Sequence, residues 1–137
     1  MKKADAIKYI ESIRKVTDYF ENCKGMIPLP EGIIDSNGSY FSCNATGTGM
    51  CLYGIDDGDY LVFEVSDTIT SGEIGMFIYG EMHTTVCRLY KEYDDGGIYL
   101  LGDPNVRQPI KIDKNDLDFS VVGQLVAVVK NMRNKKF

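Results

Sequence analysis

Long hydrophobic stretches are missing from this 137-residue chain: no apolar run approaches the roughly 18 residues that a membrane-spanning helix needs. A charged-then-apolar leader of the secretory kind is missing as well, so the expected address is the cytoplasm. Cysteine is sparse and scattered, at positions 23, 43, 51 and 87, with no Cys-x-x-Cys pair. Histidine occurs once, as His83. One imidazole and dispersed thiols do not close a tetrahedral metal shell, and a leaderless chain has no oxidising compartment in which to build a disulfide framework. Neither a metal nor a cofactor is expected. Positive charge is also in short supply. With 15 Lys and Arg against 20 Asp and Glu the net charge is −5, which argues against binding nucleic acid through its phosphates. The one basic patch, Lys130, Arg133, Lys135 and Lys136, reads as a frayed, solvated tail.

What is present falls into two parts. In residues 1–25 the apolar positions Ile7, Ile10, Ile13, Val16 and Phe20 recur at steps of three and four, predicting an amphipathic helix over 4–22. Gly25 and Pro28 end it. Its stripe has to be covered, either by its own domain or by a second copy. In residues 26–137 the pattern changes to short apolar runs separated by tight turns, with no second long helix. Asn37-Gly38 leads into Tyr40-Phe41, and Asp56-Asp57-Gly58-Asp59 into Tyr60–Val65. Gly80-Glu81-Met82-His83 joins Ile74–Tyr79 to Thr84–Tyr90 as a hairpin, and Asp94-Asp95-Gly96-Gly97 turns into Ile98–Leu101. Residues 109–112 and 119–130 close the chain. This density of strands and turns predicts a compact, mostly-β domain. The acidic turn at 56–59 lacks the alternating oxygen ligands of a calcium loop.

The run Thr48-Gly49-Met50, followed by Gly54-Ile55-Asp56-Asp57-Gly58-Asp59 and a strand, resembles the signature of the LexA/UmuD-type serine–lysine self-cleaving peptidases: Gly-x-Ser-Met, a short helical turn, then Gly-Ile-x-(Asp/Glu)-Gly-Asp. Ser71-Gly72-Glu73-Ile74 is similar to the family's Asn-Gly-(Asp/Glu)-(Ile/Val), and Thr84-Thr85-Val86-Cys87-Arg88-Leu89 to its Thr-Val-Lys-Arg-Leu. Ile98–Leu101 with Pro104-Asn105 resembles its apolar strand ending in Leu-x-Pro-x-Asn, and Phe119–Val129 its closing strand. The resemblance covers residues 27–131. It implies a LexA/signal-peptidase-like, partly closed β-barrel, here with an added N-terminal α-helix.

The family's chemistry uses a serine hydroxyl and a lysine kept neutral by burial. By the same resemblance the serine position is Gly49 and the lysine position is Cys87, so both catalytic groups are missing and the chain is expected to be a pseudo-peptidase. The Ala-Gly or Cys-Gly dipeptide that active relatives cleave does not occur before residue 49. For Gly49 the plain reading is turn flexibility, and for Cys87 a small apolar filler. The expected function is a noncatalytic dimerisation or protein-interaction module in transcriptional, SOS-type or mobile-element regulation, with a peptide or regulator protein as partner. The resemblance places a homodimer contact on the closing strand, at Val121, Leu125, Val126 and Val128, whose apolar density does not suit an edge facing water. Two alternatives stand beside this. One is a rearranged peptidase using Cys87, Thr48 or Ser42; the other is a DNA-associated transcriptional regulator, although direct contact with nucleic acid is not expected.

Overall fold

The computed structural model describes Leu29 and residues 32–35, 37–113, 115–133 and 135–136. The helix predicted over 4–22 lies outside these residues, and so does Cys23. The described part is mostly β, as the turn spacing predicts. Its strands are β1 (Tyr40–Asn44), β2 (Tyr60–Val65), β3 (Ile74–Tyr79), β4 (Thr84–Glu92), β5 (Ile98–Leu101), β6 (Ile110–Ile112) and β7 (Ser120–Val129). They form one seven-stranded sheet in the order β1-β2-β7-β3-β4-β5-β6, and every neighbouring pair is antiparallel. Between β1 and β2 a single 3₁₀ turn, Cys51–Tyr53, ends on Gly54 in the left-handed region at φ 83°. Among the described residues no helix is long and apolar enough to cross a membrane.

The two faces of the sheet bury two clusters because side chains alternate along a strand. Phe41, Leu61, Phe63, Met76, Ile78 and Val122 build the first, with Phe41 stacked on Phe63 at 5.1 Å. Phe77, Tyr90, Leu100 and Ile112 build the second, towards the β6 end, where Phe77 stacks on both Tyr90 and Phe119 at 5.8 Å. Met76 and Phe77 are consecutive yet serve opposite clusters. That is the period-two signature of a strand covered on both faces.

The sheet is also curled. In a flat sheet of this order β1 and β4 would lie about 19 Å apart, four strand spacings. Instead Cys43 of β1 and Cys87 of β4 line one cavity. Two register shifts help to bend the sheet, at Val62/Phe63 against β7 and at Met76/Phe77 against the same strand. At the crossing, Gly123 faces the Glu64 carbonyl so closely that a Cβ there would lie 2.7 Å from its oxygen. Gly75 is as tightly placed against the Gly123 carbonyl, also at 2.7 Å.

The closing strand is an interior strand, not an exposed edge. Residues 123–129 pair with β2 and residues 120–124 with β3. Its apolar density is that of a strand covered on both sides over part of its length. Val121 packs on the second cluster, and Leu125 and Val128 on the first. From Leu125 to Val129 only the β2 side is paired among the described residues, and the other edge is open.

Candidate functional site

The cavity enclosed by the curl has a volume of about 360 Å³. Its floor is apolar, made by Met50, Ile55, Leu61 and Met76. Its rim brings together the strand end Cys43–Gly47, Gly49, the segment Thr85–Arg88 of β4, and Arg107 from the loop between β5 and β6. Gly49 and Cys87, 38 positions apart in the sequence, thus face one space. Thr48 is exposed and Ser42 is buried in β1, and neither lines the cavity. His83, in the β3–β4 turn at φ 52°, is exposed and does not line it either.

Gly49 does not need a glycine's backbone. The left-handed positions of this loop are Gly47 and Gly54, whereas Gly49 has an ordinary negative-φ conformation, which corrects the expectation of turn flexibility. What stands over Gly49 is a side chain: a Cβ built there would meet Arg107 Cγ and Nε, each at 3.3 Å. The loop is pinned to place it. Asp103 N–H donates to the Gly49 carbonyl at 2.8 Å, and the Asp103 carbonyl accepts from Val106 N–H at 2.9 Å and Arg107 N–H at 2.8 Å. The Asp103 side chain takes Asn105 N–H at 3.0 Å, closing the turn. Nothing in the local sequence marks Arg107, a lone cation in a polar loop.

The electrostatics on the β4 side follow from burial. Desolvation pushes the Cys87 thiol up to about 12, the neighbouring Cys43 thiol adds to the rise, and Arg88 opposes it. Cys43 is raised to about 11 by burial alone. Both sulfurs are therefore neutral thiols near neutral pH, with little nucleophilic thiolate. Arg88 reaches back along its own strand, donating from Nη1 to the Cys87 carbonyl at 2.7 Å, while its Nε is buried without a partner. Burial lowers its proton affinity, and repulsion from Arg107 lowers it further.

A second arrangement ties the acidic turn to the end of β7. Asp59, with no exposed surface, directly precedes β2. Its carboxylate accepts from Asp56 N–H at 2.8 Å, from Asn131 N–H at 3.1 Å and from the Lys130 ammonium. Lys130 also donates to Asp56 at 2.7 Å and to the Gly54 carbonyl at 2.9 Å, and Lys135 reaches Asp56 at 2.6 Å. Burial alone would raise Asp59, but Lys130 and the two N–H groups outweigh it and hold the carboxyl below its usual range. This corrects the reading of the C-terminal basic patch as a solvated tail: Lys130 and Lys135 are engaged by the acidic turn. The Gly-Asp ending of the 56–59 turn is the sequence signal that could have marked Asp59.

Residues 11–126 match the Peptidase S24-like family. The chain belongs to that family. Among the S24-like relatives is the LexA repressor of Thermosipho africanus, 29% identical over 113 residues, which are 82% of this chain and 54% of that protein. The LexA repressor of Clostridium perfringens is 30% identical over 80% of this chain and 51% of its own length. That of a Geobacillus species is 27% identical over 93% and 56% respectively. The chain spans about half the length of the curated relatives it matches.

Proposed function

We propose that this S24-like domain is catalytically inactive and works by association, as a homodimer whose cavity receives an extended peptide without cutting it. The observation that carries the reading is the composition of the cavity. Gly49 and Cys87 stand at the positions that the resemblance gives to nucleophile and base, and among the described residues no Ser, Lys, His, Asp or Glu lines the cavity. General-base activation of a hydroxyl needs a basic group within hydrogen-bond reach, and the thiols are held neutral. β1 supports the peptide part. Among the described residues it is the terminal strand of the sheet, and Cys43 and Asn44 at its end line the cavity, which gives an extended chain an edge to pair with. The open edge of β7 from Leu125 to Val129 supports the dimer. Relatives named as repressors make a regulatory setting in the cytoplasm the natural one, with the domain competing for the partners of an active relative.

The test is intact-mass measurement after prolonged incubation at about pH 9, where a neutral lysine base would work in an active relative. The expected result is a single unchanged mass, and no adduct after fluorophosphonate treatment. A defined self-cleavage product that disappears on substitution of one residue would overturn the reading.

A further inference from the structure

Among the described residues two guanidinium groups, Arg88 and Arg107, line the cavity, and no carboxylate does. The chain as a whole is acidic, at −5, so this local excess of positive charge runs against the background. Neither arginine has a carboxylate partner among the described residues. Arg88 donates from Nη1 to a backbone carbonyl and keeps a buried, unpaired Nε. Arg107 is exposed, and among the described residues its guanidinium makes one hydrogen bond, a long contact of 3.4 Å with the carbonyl of its neighbour Val106. Leaving a buried donor unpaired and setting two like charges against each other are both unfavourable. A bound anion would relieve both. The apolar floor of Met50, Ile55, Leu61 and Met76 keeps water away and strengthens such a pairing.

We propose that this cavity is a carboxylate-binding pocket, in which Arg107 swings from above Gly49 to join Arg88 on the carboxylate of an extended peptide. The planar guanidinium fork suits a carboxylate bidentately, and 360 Å³ accommodates a side chain and its flanking backbone. The peptide pairs along β1, which delivers its acidic group to the two arginines. The carboxylate comes either from an Asp or Glu side chain or from a C-terminus. This inference rests on the reading of the cavity as a noncleaving peptide site, and names what that site selects.

The experiment titrates the full chain with fluorescent peptides and reads anisotropy up to millimolar concentration. The probes are acetyl-Val-Ala-Glu-Ala-amide, its Gln counterpart, and acetyl-Val-Ala-Ala as free acid and as amide. An acid-bearing probe is expected to bind about tenfold more tightly than its neutral counterpart, with the advantage shrinking as salt rises. Which of the two acids shows the gain identifies the source of the carboxylate. Arg107→Gln, at an exposed position that the fold does not depend on, should abolish the preference, and Arg107→Lys should restore only part of it. Equal binding of acid and neutral probes would overturn the carboxylate inference while leaving the peptide site standing. Binding of no probe would overturn both, and the intact-mass experiment would still decide whether the chain is inactive. Displacement of the acidic probe by inorganic phosphate at equal concentration would show a general anion site and would likewise overturn it.

Discussion

Asp59 shows how one buried charge is made tolerable and what that costs when the pH changes. Its carboxylate meets an ammonium and two backbone N–H groups, so its folded-state proton affinity lies below that of the unfolded chain. A carboxyl lowered in this way stabilises the fold above its ordinary value of about 3.9, and the contribution is lost as pH falls through the lower folded value. Acid unfolding should therefore begin below about pH 4, and Asp59→Asn should flatten that limb. The same substitution takes from Lys130 its buried partner, leaving it Asp56 and the Gly54 carbonyl, and is expected to cost about 2 kcal/mol in urea denaturation. The thiols act at the other end. Cys43 and Cys87 are raised to about 11 and about 12, above the ordinary thiol value of about 8.5. Their stabilisation is complete below that ordinary value and fades as pH rises towards the folded ones. The environment that keeps the Cys87 thiol neutral would also keep an amine neutral. The double variant Gly49→Ser with Cys87→Lys is accordingly expected to gain a fluorophosphonate-reactive serine that neither single variant has. Absence of labelling in a folded double variant would count against the assignment of these two positions.

At the scale of elements, β7 does two jobs along its length. Its first half is locked between β2 and β3, with Val122 fully buried, and its second half keeps one open edge. Gly123 sits where the two halves meet, and a methyl group there would press on the Glu64 carbonyl. Gly123→Ala is expected to destabilise the fold by about 2 kcal/mol, measured by urea titration, because backbone rather than a flexible side chain has to give way. A neutral result would mean that the bulges at Val62/Phe63 and Met76/Phe77 absorb the strain. Val126 is half-buried and belongs to neither core cluster, whereas Val128 packs on the first. That difference makes Val126 the cleaner probe of association.

For the whole molecule, the proposal is a symmetric dimer in which the open β7 edges of two copies meet around residue 125. Val126→Asp should convert a wild-type dimer to monomer in sedimentation equilibrium and remove the dependence of the urea midpoint on protein concentration, since an unpaired charge is costly where it is desolvated and association stabilises the fold by mass action. A wild-type monomer at high micromolar concentration would refute the dimer. The carboxylate pocket is independent of this result, because Arg88, Arg107 and Gly49 all belong to one copy.

Much was decided by sequence alone. Period-two alternation and the turn residues Asn37-Gly38, Gly58, Gly80 and Gly96 determined where strands start and stop, because these are local steric and burial effects that neighbours in the chain settle among themselves. The order of motifs was enough for the family, and the spacing around Met50 and Val86 pointed to Gly49 and Cys87, which line one cavity. Only the tertiary structure decided what surrounds them. Whether β7 lies at an edge depends on which strands flank it, and local patterning says nothing about strand order. The engagement of Lys130 by Asp59 spans 71 positions, and the placing of Arg107 over Gly49 spans 58. The first follows from the pairing of β2 with β7, where Tyr60 faces Val129, and the second from the curl of the sheet, so a lone arginine in a polar loop carried no mark of the cavity it would come to cover.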